Sequence, residues 1–285
     1  MSRDGVVELG RGIEGASRLA ATCDVVIVVD VLRFTTAVTV AVERGASVWP
    51  VAWGEPTTSA AAADVVATAN GAVLAGRRED GGMSLSPTDM ARVAPGERLV
   101  LPSPNGAACV LAAAGGGGDG GGAGGGSVAA PATGGCGPVV VAACLRNATA
   151  AATWAATHAI AIRRRPPPRA GATRAPVRLG VVAVGEATPA GGRRVAWEDD
   201  LGAGAVLTPL VVAGWEPGPG TWGAMAEWAG APDPARRGER LATCPSGAEL
   251  VERGWADDVV MCAHHDVTAA VPVLRDGAFV GAQPS

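Results

Sequence analysis

The segment 24–42, DVVIVVDVLRFTTAVTVAV, limits the possible folds of this chain more than any other. It opens with an unbroken apolar run at 25–29 and then reaches a carboxylate, Asp30. A run that is apolar on both faces is typical of a strand buried in a parallel sheet. An Ala-, Val- and Thr-rich segment of helical length follows and ends at Gly45. The segment therefore predicts a buried strand, a short turn and a helix.

The predicted turn brings an acid, a guanidinium and two hydroxyls together, at Asp30, Arg33, Thr35 and Thr36. Ligands of open α/β sheets bind outside the carboxyl ends of the strands. A helix N-terminus there offers free N–H groups and a partial positive charge, which suit a phosphate or carboxylate. We interpret the turn as half of an anion site, with Thr35 or Thr36 capping the helix. The structural alternative for Asp30 is a helix cap or an ion pair with Arg33.

Strands alternate with Ala-rich helices along the 285 residues. This alternation predicts an α/β fold, a duplicated three-layer α/β/α arrangement with mainly parallel sheets. The Gly-rich segment 115–137 is of low complexity and is predicted to be a disordered insertion between two α/β halves, 1–114 and 138–285. Segments 27–38 and 140–151 share residues at one offset, which favours an ancient duplication: Leu32/Leu145, Arg33/Arg146, Thr36/Thr149 and Ala37/Ala150. Segment 258–262 is predicted to be a strand.

The composition excludes several classes of function. The net charge is −4 and every basic residue is Arg, and this mild acidity argues against a nucleic-acid partner. The six cysteines show no C-x-x-C spacing, so buried free thiols are expected rather than a zinc site. No apolar run reaches the ~20 residues that span a bilayer. A cytoplasmic protein without a membrane segment is expected, and self-association into a homo-oligomer is left open.

Polar residues follow other predicted strands in the same way. Asn105-Gly106 follows a strand at 98–101, and Asn147 follows one at 139–143. Glu198 and Asp199 come after the strand at 178–184 and could hold Mg²⁺ opposite an anion site.

In ordered succession, these residues resemble the 2-phosphosulfolactate phosphatases, Mg²⁺-dependent enzymes of coenzyme M biosynthesis, over nearly the whole chain. The D-V-L-R-A-T-[ST] stretch of that family is matched by 30–36, and its T-[TN]-N-G-T stretch by 103–107. The motifs that complete the match are Asn147-Ala148, Glu198-Asp199-Asp200-Leu201-Gly202-Ala203-Gly204, Ser246-Gly247-Ala248-Glu249-Leu250, Asp257-Asp258-Val259 and Val271-Pro272-Val273-Leu274.

The resemblance implies a phosphomonoesterase that hydrolyses 2-phosphosulfolactate to sulfolactate and phosphate, with its site between two α/β halves. Each implied role falls on a residue of this chain. The metal ligands would be Asp30, Glu198 and Asp199, and the catalytic groups Asp30, Arg33, Asn105 and Asn147. The substrate would be bound by Arg33, Thr35, Thr36, Asn105, Gly106 and Asn147.

The chain departs from the family pattern at two loops. Gly76-Arg77-Arg78 has Arg where the family has the Glu of G-E-R, and the loop 82–87 lacks the family's Phe and Asn. If that Glu holds the metal, Glu79 or Asp80 would have to replace it. Two alternatives follow: a phosphatase of another small phosphorylated hydroxy acid, and a non-catalytic protein that binds small anions.

Overall fold

The computed structural model describes residues 5–54, 56–115, 137–164, 176–188 and 192–283. Residues 116–136 of the predicted Gly-rich insertion lie outside the described residues. The prediction of a disordered insertion therefore stays a prediction.

Strands and helices alternate through most of the chain. The strands are β1 Gly5–Arg11, β2 Val25–Val29, β3 Ser47–Ala52, β4 Val73–Leu74, β5 Arg98–Ser103, β6 Val139–Ala143, β7 Val177–Ala183, β8 Glu186–Ala187, β9 Arg193–Arg194, β10 Glu216–Pro217, β11 Pro272–Arg275 and β12 Ala278–Gly281. The α-helices are α1 Gly12–Ala20, α2 Phe34–Glu43, α3 Pro56–Asn70, α4 Pro87–Met90, α5 Gly106–Ala113, α6 Ala148–Arg164, α7 Trp197–Val212, α8 Thr221–Ala229, α9 Pro234–Thr243, α10 Pro245–Glu252 and α11 Ala256–Ala263.

Two groups of parallel strands form the large sheet. The order is β10-β1-β7-β2-β6-β11-β12-β3-β5-β4. Strands β10, β1, β7, β2 and β6 are mutually parallel, as are β3, β5 and β4. The antiparallel hairpin β11–β12 joins the groups by pairing Val273 with Val141 and Phe279 with Val48. The predicted α/β class with a mainly parallel sheet is confirmed.

Helices cover both faces of the five-stranded group. On one face, α6 and α7 pack over the inward side chains of β1, β2 and β7. On the other face, α1, α2 and α5 share one core with apolar side chains of β2, β3 and β5. Helices of this second layer therefore lie between the two strand groups.

The two predicted sequence halves contribute to the same group of strands. Strands β1 and β2 precede the segment 115–137, and they alternate with β10, β7 and β6, which follow it. The halves 1–114 and 138–285 are therefore not two separate sheets. The repeated segments are neighbours in space, because β2 and β6 pair in parallel with Val29 opposite Ala143.

The prediction of a strand at 258–262 is wrong, because these residues lie in α11. Their short apolar run is compatible with a strand or with one face of a helix, and length alone could not decide between them. The helix is selected by tertiary packing, since Val259 and Cys262 join the same core as α6 and α7.

The close approach of α7 to α8 yields the first testable prediction. A Cβ on Gly204 would collide with the carbonyl oxygen of Ala224 and lie 2.9 Å from the Cβ of Trp228. Gly204→Ala should lower the free energy of unfolding by about 1–3 kcal/mol, since overpacking outweighs the better helix propensity of Ala. Urea denaturation measures this change.

The control is Gly223→Ala in α8, where a Cβ would meet no atom within 4 Å. This variant should be as stable as the parent or up to about 1 kcal/mol more stable. Equal effects of the two substitutions would contradict the packing of α7 against α8.

Candidate active site

The carboxyl ends of β2 and β5 meet at a small cavity. A Cβ on Gly106, the first residue of α5, would lie 2.6 Å from Asp30 Oδ2, so only glycine permits this approach. The cavity has a volume of about 180 Å³. Three of the predicted site residues line it, Asp30, Arg33 and Asn105, together with Ser103, Glu186, Ser246, Glu249, Arg253 and Trp255.

A larger cavity of about 570 Å³ opens near the ends of β1 and β7. Its acid Asp200 is engaged through both carboxylate oxygens by Arg11, each at 3.0 Å. Asp30 lines only the smaller cavity of these two. We place the candidate site in the smaller cavity for that reason.

Asp30 lines the cavity and accepts the N–H of the first residue of α2. Its side chain is buried, and Oδ1 accepts the N–H of Phe34 at 3.2 Å. Oδ2 accepts no hydrogen bond within the described residues, and the carboxylate belongs to a residue that lines the cavity. Of the alternatives that the sequence left open, Asp30 accepts an N–H of the first turn of α2 but is not its N-cap residue, which is Arg33. The guanidinium of Arg33 pairs with a different acid, Asp258.

The predicted cap by Thr35 or Thr36 is wrong. The Thr35 hydroxyl donates to the carbonyl of Asp30 at 2.6 Å and accepts its N–H at 2.8 Å. The Thr36 hydroxyl donates to the carbonyl of Val31 at 2.8 Å. Both side chains are fully buried and neither lines the cavity, so the structure gives their hydroxyls to the backbone of the turn rather than to a ligand.

Glu198 and Asp199 lie in the first turn of α7 behind Asp30. Asp199 accepts the N–H of Val31 and the N–H of Gly185, each at 2.8 Å. It thereby ties the turn after β2 to the turn after β7. Glu198 is 2% exposed, and its Oε2 has no hydrogen-bond partner in the described part of the chain.

The electrostatics of this acid cluster favour proton or cation uptake. Burial, together with the nearby charges of Glu198 and Glu186, raises the pKa of Asp30 to about 7, although the N–H of Phe34 and the charge of Arg33 oppose the shift. Burial also raises the pKa of Asp199, with added contributions from Asp30 and Glu198. Asp30 and Asp199 are thus buried close enough for their charges to repel each other.

The acids fit a Mg²⁺ ion in part. Among the residues that the structure describes, no group of three or more His, Cys, Asp or Glu side chains is arranged around a common metal position. Asp199 has both oxygens engaged, whereas Asp30 Oδ2 and Glu198 Oε2 accept no hydrogen bond from the described part of the chain. Because Mg²⁺ uses one or two carboxylates together with water and substrate oxygens, Asp30 and Glu198 suit it as ligands, and Asp199 positions the turn beside them.

The two predicted asparagines have different environments. Asn105 lines the cavity, and its Oδ1 accepts the N–H of Ala187 at 2.9 Å. Asn147 is fully buried, accepts the N–H of Cys144 at 2.9 Å and donates to the carbonyl of Ala270 at 3.0 Å. Asn147 therefore fastens the turn after β6 and does not line the cavity, contrary to the expected substrate contact.

Arg33 lines the cavity and pairs with Asp258, an acid that the sequence did not predict as its partner. Its Nη1 donates to Asp258 Oδ2 at 2.6 Å, and Arg78 Nη1 donates to the same oxygen at 2.8 Å. Ser86 and Thr88 donate their hydroxyls to the other oxygen of Asp258, at 2.6 and 2.8 Å. Burial alone would raise the pKa of Asp258, but the hydrogen bonds from Ser86, Arg33 and Thr88 hold it below its ordinary value.

Sequence reasoning missed Trp255 and Asp258 as parts of the site. Three guanidinium groups surround the Trp255 ring, with their carbons 4.9–5.6 Å from its centroid: Arg33, Arg78 and Arg253. The sequence held one signal for this cluster, because Arg78 matches the Arg of the family's G-E-R motif. Nothing local in the sequence links Arg33 with Asp258, because 225 positions separate them.

Comparison with protein-family models gives no match for this chain, and comparison with curated proteins gives none either. No helix among the described ranges combines the length and apolarity needed to cross a bilayer.

The raised pKa of Asp30 predicts a pH-dependent stability. Between pH 3.8 and about 7, Asp30 binds more protons in the folded chain than in the unfolded one, so the free energy of unfolding falls as pH rises through this range. Asp30→Asn removes the charge and keeps an acceptor for the N–H of Phe34. At pH 8 the variant should be more stable than the parent by on the order of 2–4 kcal/mol.

Chemical denaturation of both proteins in chelator, at pH 4 and pH 8, measures the difference. The stability difference should be small at pH 4 and appear at pH 8. A difference that does not change with pH would show that Asp30 is already ionised in the folded protein.

Proposed function

We propose that this protein is a Mg²⁺-dependent phosphatase of a small phosphomonoester that carries a further anionic group, with 2-phosphosulfolactate as the leading candidate. We also propose that the protein acts in the cytoplasm and binds no nucleic acid. The observation that supports it most is that carboxylates and guanidiniums line one small cavity together. The acids are Asp30, Glu186 and Glu249, and the bases are Arg33 and Arg253.

Such a cavity matches the charges of a metal-bound phosphate ester. The carboxylates suit a divalent cation, and the guanidiniums suit phosphate, carboxylate or sulfonate oxygens. A volume of about 180 Å³ is below the range of ~300–1,000 Å³ that is usual for drug-sized ligands. The substrate is therefore a small molecule with few carbon atoms.

Each residue then has a task in hydrolysis. Water forms the new bond to phosphorus, the ester oxygen leaves, and a proton passes to that oxygen. Bound at Asp30 and Glu198, Mg²⁺ would neutralise charge on the phosphoryl group. Arg33 binds phosphoryl oxygens through the guanidinium nitrogens that Asp258 leaves free, and Asn105 orients the substrate through its amide.

The first alternative is a phosphatase of another small phosphorylated hydroxy acid, which would use the same residues. The second, a non-catalytic binder of small anions, is favoured by one observation at the loop that departs from the family. Arg77 is exposed there, and Glu79 lies 3.9 Å from Arg253, on the basic side of the cavity. Arg77 has no carboxylate to offer a metal, and the carboxylate of Glu79 is directed to Arg253.

Activity is tested by phosphate release from 2-phosphosulfolactate and 2-phospholactate, with Mg²⁺ and with chelator. The parent should release phosphate only with Mg²⁺, and Asp30→Asn should reduce turnover by at least 10³-fold while remaining folded, since it loses a charged ligand. Preference for phospholactate would favour the first alternative. No release from either ester by a folded sample would favour the anion binder.

Metal binding is tested separately by calorimetric titration of Mg²⁺. Glu198→Gln should weaken the affinity by about tenfold or more, because it removes the charge of one ligand. Asp200→Asn is the matched control, since Asp200 is the next acid in α7 but pairs with Arg11 at 3.0 Å. Equal losses in both variants would point to a general charge effect, and no Mg²⁺ uptake by the parent would remove the metal from the proposal.

A further inference from the structure

A third cavity lies between α9 and α11 and is lined by a buried cation. Its volume of about 620 Å³ falls within the range of ~300–1,000 Å³ that is usual for small-molecule sites. Of the described residues that line it, only Arg237 carries a permanent charge. The others are small or apolar, apart from His264 and His265. The cavity shares no lining residue with the candidate active site.

The guanidinium of Arg237 forms no ion pair with an acid of the described chain. The residue is 4% exposed, and its Nη1 donates to the carbonyl of Ala231 at 3.1 Å. Its guanidinium carbon lies 4.9 Å from the centroid of the Trp228 ring. Burial lowers the pKa of the Arg237 guanidinium, although the charge of Asp233 opposes the shift. A buried cation without an ion pair is destabilising, and a bound anion would offset that cost.

One edge of the Arg237 guanidinium is free to bind a ligand. Its Nε is buried without a hydrogen-bond partner. Its Nη2 makes no hydrogen bond to the described residues either. Nε and Nη2 form one side of the planar guanidinium and match the two oxygens of a carboxylate. A single positive charge suits this monoanion better than a phosphate monoester, whose charge at pH 7 is about −1.5 to −2.

The rest of the cavity suits an apolar body. Three of its side chains, Val251, Val260 and Val267, are 42%, 59% and 52% exposed. Exposed apolar surface around a single buried polar group is typical of a ligand pocket. Gly238 leaves further room, because a Cβ there would meet no atom within 4 Å.

We propose that the cavity between α9 and α11 binds a small apolar carboxylate, with the two carboxylate oxygens on Arg237 and the hydrocarbon part against the three exposed valines. Neither Mg²⁺ nor phosphatase activity is needed for this binding. Helix α11 connects the two sites, since Val259 lines this cavity and Asp258 binds Arg33, which lines the smaller one.

Octanoate and octan-1-ol test the site at pH 8, where ordinary histidines are neutral. The two probes have the same chain length and differ in charge. Calorimetric titration of the parent should show one octanoate bound per chain, about tenfold or more tightly than octan-1-ol. Hexanoate, which is two methylenes shorter, should bind about tenfold more weakly than octanoate. Equal affinities for octanoate and octan-1-ol, or for octanoate and hexanoate, would overturn the site.

Two variants localise the binding. Arg237→Gln should weaken octanoate binding about tenfold with little effect on octan-1-ol. Gly238→Leu fills the cavity and should abolish octanoate binding. The matched control is Gly223→Leu in α8, because a Cβ there also meets no atom within 4 Å and Gly223 does not line the cavity. This control should bind octanoate as the parent does.

The glycine variants keep the test decisive even if Arg237→Gln does not fold. Unchanged octanoate binding by Gly238→Leu, or an equal loss in both glycine variants, would overturn the site. Sedimentation of the same proteins recognises a different occupant. A parent dimer that Gly238→Leu dissociates, without octanoate binding, would show that a second copy of the chain covers the cavity, and it would overturn the ligand site.

Discussion

The candidate site depends on the two hydrogen bonds that Asp199 accepts, from the N–H of Val31 and of Gly185. These groups belong to the turns that follow β2 and β7, which are adjacent parallel strands. Parallel pairing brings the carboxyl ends of strands together, but it does not fix the loops beyond them. The buried carboxylate of Asp199 holds these loops in place by accepting one N–H from each. As a result, Asp30 and Glu186 line the same cavity.

The same interaction explains why fully hydrogen-bonded acids and an acid with a free oxygen occur in one site. Asp199, in the first turn of α7, accepts backbone hydrogen bonds, and its neighbour Glu198 is buried beside it. One oxygen of Glu198 has no hydrogen-bond partner among the described residues. Asp258 in turn holds two guanidiniums, and its own carboxylate is saturated by hydrogen bonds from four residues. Satisfied acids thus act as structural anchors, whereas Asp30 keeps one oxygen without a hydrogen bond from the described residues.

Sequence patterns predicted those parts of the fold that local chemistry decides. The strand, turn and helix from β2 through Asp30 to α2 were predicted because an apolar run followed by a polar turn is compatible with few other local structures. Thr35, Thr36 and Asn147 were assigned to a ligand because a hydroxyl or amide at a strand end has the same pattern whether it serves a ligand or the backbone. Only the folded chain shows that their partners are carbonyl and N–H groups of the turns. The role of Asp258 was beyond reach, since its partners come from α4, the segment before α2 and the loop after β4.

The hairpin β11–β12 gives the sheet an order of assembly. Among the described strands, only this hairpin connects the two parallel groups, because β11 pairs with β6 and β12 pairs with β3. The hairpin also follows every other described strand in sequence. During synthesis, β3, β5 and β4 can associate early, but their join to β6 must wait for residues 272–281. Until then, the facing edges of β6 and β3 are open to pairing with another chain. The nascent protein is therefore most vulnerable to misassembly just before its last described strands emerge from the ribosome. A chaperone that shields the edges of β6 and β3 would improve the yield of folded protein.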